Sequence, residues 1–197
     1  MSSLEAQDIA SPNEQSNVDF ERGLIALIPH LRAFAIVLCR NRELAEDIAQ
    51  EALARAWRAR TSFQPGSNLR AWLFTILRNE FLTYRRRAWR QTPWDDEAVA
   101  STPVSASQYW SSELSDIGRA LYGLSIEQRE ALILVTVSGF SYEEAARISE
   151  CSIGTVKSRV FRARAALATM LEENKPLPER PPTPGAIGLD EILAYTL

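Results

Sequence analysis

Tyr142–Leu167 reads YEEAARISECSIGTVKSRVFRARAAL, a short helix, a break near Glu150–Ser152 and a longer helix. On the longer helix Val156, Val160, Ala163 and Leu167 recur at i, i+4, i+7 and i+11, which puts them on one face. The opposite face carries Thr155, Ser158, Phe161 and Arg162, flanked by Lys157, Arg159 and Arg164. Between Ser152 and Leu167 there are four basic residues and no acidic one. A helix-turn-helix pair buries its first helix and the inner stripe of its second, and turns the outer face toward a major groove. Lys and Arg there pair with phosphates or with guanine edges, and Ser or Thr with base edges. Thr155, Lys157, Ser158, Phe161 and Arg162 are therefore the candidate duplex contacts. Phe161 weighs most, because an outward aromatic gains nothing unless it meets something such as a thymine methyl. Ala145–Ala146 supplies small residues where the two helices cross. The competing reading is a surface helix whose basic face is simply solvated.

Working outward, residues 113–173 form a four-helix unit: Glu113–Tyr122, Ile126–Val137, Tyr142–Ile148 and Ile153–Leu171. Ser125 and Ser141 stand where helix caps belong, and Gly139 where a helix ends. Residues 91–112 hold two prolines, several Ser/Thr and the triplet Asp95-Asp96-Glu97, the composition of a flexible linker. Extended, it reaches about 70 Å, the span of about 20 base pairs. Residues 1–18 are polar and aperiodic, expected to be disordered. Residues 174–197 begin with a Pro-rich run, five prolines in Pro176–Pro184, and end in a short apolar-rich segment.

Residues 19–90 form the other helical unit. Its first helix runs from Asp19 to about Arg40, with Pro29 either kinking or dividing it. The second spans Arg42–Arg60, burying Ala45, Ile48, Ala49, Ala52, Leu53 and Ala56, while Asp47, Gln50 and Glu51 share the opposite side with Glu43 and Arg58. Phe63–Ser67 is a turn, Ser67 or Asn68 caps the next helix, and Leu69, Trp72, Leu73, Ile76 and Leu77 fall at core spacing. That helix ends in YRRRAWR, Tyr84–Arg90. Cations interleaved with aromatics suit single-stranded nucleic acid, the cations tracking phosphates and the rings meeting unstacked bases. Asn79 can donate and accept at once, as reading a splayed base edge requires. Trp72 and Tyr84 are open to a second reading, as core residues.

Net charge is only −3, but residues 19–90 hold thirteen basic and seven acidic residues, so positive charge is local. A hydrophobic content of 46% is ample for packed cores and argues against wholesale disorder. Cys39 and Cys151 lie far apart inside helical patterns, which reads as two free thiols in a reducing compartment. His30 is the single histidine. No metal-ligand spacing, Gly-rich phosphate loop or nucleophile–base pair is visible, so no metal, cofactor or enzymatic activity is expected. The longest apolar runs, Ala33–Cys39 and Ala131–Val137, are too short to span a bilayer. With no signal-peptide pattern, a cytoplasmic location and no membrane partner are expected.

Four stretches together resemble the extracytoplasmic-function class of bacterial σ factors, and more narrowly the group that runs the general stress response. They are AEDIAQEALARAWR (Ala45–Arg58), the Phe63–Asn79 run ending LRAWLFTILRN, LSIEQREALIL (Leu124–Leu134), and GFSYEEAARI with GTVKSRVFRARAAL (Gly139–Leu167). The resemblance implies an all-α chain of two small helical domains. The first would bind core RNA polymerase through Asp47, Gln50 and Glu51 and open the −10 element. Asn79 would read a flipped-out base, with Phe63 and its turn forming the pocket and Tyr84 and Arg85 beside the strand. The second domain would read the −35 element of promoter DNA through its helix-turn-helix. Such proteins are typically held by an anti-σ protein. The rival class is a σ-like decoy that sequesters an anti-σ partner without touching DNA; decoys are usually fused to a receiver domain and would lose Lys157, Arg159 and Arg162. Glu150 departs from the pattern, standing where the family often has Gly. A left-handed residue there costs about 1 kcal/mol, so a reshaped turn is expected.

Overall fold

The structure, a computed structural model, describes residues 12–91, 118 and 120–172. The expected linker beyond Gln91, the C-terminal extension and most of the N-terminal tail lie outside the described residues. Among the described residues every regular element is helical.

Helix α1 (Pro12–Cys39) begins on a proline, whose fixed φ suits a first turn and whose missing N–H is not needed there. It therefore starts well before Asp19, and residues 12–18 are helical where disorder was expected. Pro29 does not divide it; the helix is continuous. The lost hydrogen bond and ring clash cost about 3 kcal/mol, offset by burial of Leu24, Leu31, Phe34, Ala35 and Leu38 on either side. By length and composition Asn17–Cys39 is apolar enough to cross a membrane, with mean hydropathy 1.6. Its apolar side is instead the core of the first unit, packed on the next two helices.

Helix α2 (Arg42–Arg58) is capped by Asn41, whose Oδ1 accepts from the Leu44 amide at 2.9 Å. Its buried face is Ala45, Ile48, Ala49, Ala52 and Ala56, so small side chains let α1 and α2 approach closely; Leu53 is half-buried. The helix stops at Arg58, short of the expected Arg60, because the chain tightens into a 3-10 turn over Arg60–Ser62, where Ser62 Oγ donates to the Ala59 carbonyl. Helix α3 (Leu69–Gln91) is capped by Asn68, the second of the two candidates: its Oδ1 accepts from the Ala71 amide at 3.0 Å. Leu73, Phe74, Leu77 and Phe81 are sealed in the core, and Phe34 stacks on Phe74 at 4.8 Å.

The second unit follows from a helical turn ending at Tyr122. Helices α4 (Ile126–Thr136) and α5 (Tyr142–Ile148) each start in a capping box, Ser125 with Gln128 and Ser141 with Glu144. Between them Gly139 takes φ +66, and the Ser138 and Phe140 amides close on the Ile133 and Leu134 carbonyls. Helix α6 is Ile153–Glu172.

The two units lie against each other. Helix α1 packs on α4 and α3 on α5, with Phe140 edge-on to Phe74 at 5.0 Å and the Arg70 guanidinium 4.8 Å over the Phe140 ring. Around this apolar centre the contact is polar and charged.

Candidate nucleic-acid interface

Helix α5 and the turn after it fix the direction of α6. Ala145 and Ala146 are buried, which lets α5 and α6 cross closely. The Cys151 amide donates to the Ala146 carbonyl at 3.0 Å and the Ser149 amide to the Ala145 carbonyl at 2.9 Å. Glu150 sits at φ +50, so the turn keeps the left-handed geometry and a glutamate accepts its strain; the reshaped turn expected from sequence does not occur. Ser152 then caps α6, its Oγ accepting from the Thr155 amide at 3.1 Å.

On α6 the stripe Val156, Val160 and Ala163 is sealed, and Leu167 is half-buried against the same core. The opposite face is open: Lys157, Ser158, Phe161 and Arg162 are all exposed, Phe161 to 74%. Arg162 is held along the helix, donating to Ser158 Oγ at 3.1 Å and to the Ser158 carbonyl at 3.2 Å. The Lys157 ammonium rests 5.8 Å over the Tyr142 ring. Thr155 differs from these four. It is half-buried and its hydroxyl is 2.8 Å from Ser152 Oγ, so it serves the helix start. Arg159 is likewise turned back, toward Cys151 Sγ at 3.7 Å.

In the first unit Asp47, Gln50 and Glu51 are exposed together on α2, with Glu51 paired to Arg58 at 2.7 Å. The group expected around the melted strand is dispersed. Phe63 is half-buried in an aromatic cluster, 5.6 Å from Phe20 and 5.3 Å from Trp72. Trp72 is likewise half-buried, and both rings pack against the core. Asn79 lies seven residues beyond Trp72, about 10 Å along the helix axis from that cluster. The Asn79 amide instead faces Glu150, Nδ2 to Oε1 at 3.4 Å, a long hydrogen bond. Tyr84 is exposed, and the Arg85 guanidinium lies 5.9 Å over the Phe81 ring.

Two side chains beside this site, Arg78 and Glu130, were not singled out from sequence, and Asn68 was read only as a helix cap. Arg78 Nε donates to Glu130 Oε1 at 2.6 Å, with side-chain exposures of 12% and 5%, and Ser149 Oγ donates to the same oxygen at 2.9 Å. Asn68 Nδ2 donates to Glu144 Oε1 at 2.7 Å. Its bond to Ser141 leads in holding the Glu144 carboxyl below the usual range, with Asn68 assisting. The signal for Glu130 was present, since an acid directly before the apolar run ALILV, residues 131–135, needs a cation or a donor at hand if it is buried. An open groove of about 690 Å³ beside the turn, lined by Ala146, Arg147, Cys151 and Ile153 among others, also went unread.

Comparison with known proteins gives two family matches, Sigma-70 region 2 over residues 25–91 and Sigma-70 region 4 over residues 114–167. The chain is 50% identical over 149 residues to the ECF RNA polymerase sigma factor EcfG of Rhodopseudomonas palustris, covering 75% of this chain and 82% of that one. Among solved structures it resembles the sigma factor RpoE of Bartonella quintana, crystallised with the anti-sigma factor NepR, with TM-score 0.69 and 48% identity over 80% of this chain and 99% of that one. It also resembles CnrH, solved with the cytosolic domain of CnrY, at TM-score 0.52 and 28% identity over 84% and 92% of the two chains.

Proposed function

The chain belongs to the ECF RNA polymerase σ factors, and on that premise we propose which surfaces carry transcription initiation. Residues 19–90 are the unit that binds core polymerase and the −10 element, and residues 113–173 the unit that reads the −35 duplex. Asp47, Gln50 and Glu51 dock on core polymerase. Lys157, Ser158, Phe161 and Arg162 enter the major groove, with Thr155 holding the helix start, and Asn79 with Tyr84 and Arg85 meets the melted strand. Phe63 supports that region from inside the aromatic cluster. The chain works in the cytoplasm, where polymerase and chromosome are, on promoters of stress-response genes. An anti-σ protein holds it in reserve, a role supported by its likeness to RpoE, which was solved with NepR.

One observation carries this reading: on a single helix Val156, Val160 and Ala163 are sealed while Phe161, at 74% exposure, stands in water among Lys157, Ser158 and Arg162. A decoy that only captures an anti-σ protein has no use for a cationic, aromatic outer face. The test is transcription in vitro by core polymerase on a promoter library, with and without the chain. New start sites preceded by common −35 and −10 elements are expected; an identical transcript pattern refutes the assignment.

A further inference from the structure

The open groove of about 690 Å³ beside the helix-turn-helix lies between one face of α5, with Ala146 and Arg147, and the start of α6, with Cys151, Ser152 and Ile153. Ala146 is buried at its floor, Cys151 is half-buried, and Ile153 keeps 38% of its surface in water. A groove of this size is within the about 300–1,000 Å³ of sites that enclose a compact ligand, and an open isoleucine at its edge gains by being covered. We propose that its occupant is a segment of the same chain: residues 187–197, IGLDEILAYTL, dock here and stand over the start of the −35 reading helix.

The sequence of the segment suits the groove. At helical spacing Leu189, Ile192, Leu193 and Leu197 share one side, at i, i+3, i+4 and i+8, with Asp190 and Glu191 off it. That is the pattern of a helix that lays an apolar face in a groove. The reach also fits. The chain leaves α6 at Glu172, nineteen residues beyond Ile153, about 28 Å along the axis. A Pro-rich run advances about 3.1 Å per residue, so the nine residues Pro176–Pro184, five of them proline, cover the same distance in return.

Charge sets which way the segment lies. The rim acids Glu143 and Glu150 belong to α5 and the turn after it, so they turn Asp190 and Glu191 toward α6. That helix has no acid in its first turn to complement its positive end, and Lys157 follows directly. The two carboxylates therefore come to lie beside Lys157 and Ser158, where DNA would enter, and the segment competes with the −35 duplex. The competition rests on the groove-entry role given to Lys157 and Ser158 above; the docking does not.

The test uses the full chain, with amide hydrogen exchange over residues 143–153 read by mass spectrometry and binding of the −35 duplex selected with the holoenzyme read by fluorescence anisotropy. Leu189→Ser/Ile192→Ser/Leu193→Ser removes the apolar side and keeps both acids. With the segment docked about four-fifths of the time, this variant is expected to exchange about fivefold faster in the groove and to bind duplex about fivefold more tightly. Ile153→Ser, on the groove side, is expected to release the segment as well, and the triple change added to it should do nothing more. Equal exchange in wild type and triple variant overturns the proposal, and where added core polymerase then slows exchange, the groove belongs to that partner. Protection that grows with protein concentration assigns the groove to a second copy and overturns it too. Faster exchange with unchanged duplex affinity overturns the competition. Lys157→Ala then separates the two readings: weaker duplex binding leaves the −35 role of α6 standing, and unchanged binding removes that role as well.

Discussion

Replacing Phe161 with alanine separates recognition from folding. The residue is 74% exposed, so little of the ring's surface is given up to the fold. The melting temperature should therefore hold, because exposed substitutions away from caps and buried pairs stay within about 0.5 kcal/mol. Docked in a groove, the ring would bury about 150 Å², for an upper bound of about 4 kcal/mol at ~25 cal/mol per Å². Ordering and dehydration of neighbouring polar groups consume much of that, leaving about 1–2 kcal/mol, or about 5- to 30-fold in affinity. The assay is a competition titration of −35 duplex DNA against holoenzyme reconstituted with wild type, Phe161→Ala or Phe161→Leu, beside thermal melts of the free chains. Phe161→Leu should fall between the other two, since it keeps apolar area and loses the ring. Unchanged affinity for Phe161→Ala refutes the groove assignment. A melting temperature lowered by several degrees refutes the premise that the ring is idle in the free fold.

The double change Asp47→Lys/Glu51→Lys reverses the charge of an exposed face without touching the core, and should weaken capture of core polymerase in a pull-down while leaving the helical signal intact. Ser141→Ala removes the cap of a helix only seven residues long and should cost about 1 kcal/mol in urea unfolding. The Glu144 carboxyl, held below its usual range chiefly by its bond to the Ser141 amide, contributes stability that is present at neutral pH and lost as pH falls through its folded pKa, so Glu144→Gln should flatten the acid limb of the stability profile. Cys39 runs the other way: burial pushes its thiol from 9.0 up to about 12. The fold holds that proton more tightly than the unfolded chain, so its contribution is complete below pH 9 and lost as pH rises toward about 12. Urea midpoints measured between those limits should fall faster for wild type than for Cys39→Ala.

Much of this was legible because local rules and tertiary packing agree. The spacing of Val156, Val160 and Ala163 announced the sealed stripe, and the serines before Ile126 and Tyr142 announced caps that the structure completes with Gln128 and Glu144. Ala145–Ala146 announced a helix crossing, and both residues are buried there. The failures share one cause, side chains whose role is decided by a distant part of the chain. The resemblance offers Phe63 as a pocket wall, and nothing in its turn announces that Phe20, from the far end of the unit, meets it in an aromatic cluster. Phe74 and Arg78 have no special spacing on α3; what selects them is the arrival of Phe140 and Glu130 across more than fifty residues. At Pro29, where the sequence left a kinked or a divided helix open, the local penalty is outweighed by burial on both sides and the helix is not divided. Arg129 could not have been foreseen at all. It is 1% exposed with Nε and Nη2 unpartnered, and burial, reinforced by the neighbouring Arg40, lowers its guanidinium pKa to about 10.

Glu150 joins two properties in one codon. Glutamate and glycine codons differ by a single A-to-G change at the middle base, so one transition relaxes the left-handed turn and deletes the carboxylate facing Asn79 at the same stroke. Drift toward an easier backbone is thereby yoked to loss of a reach across the molecule, and a lineage that keeps the acid keeps the discomfort with it.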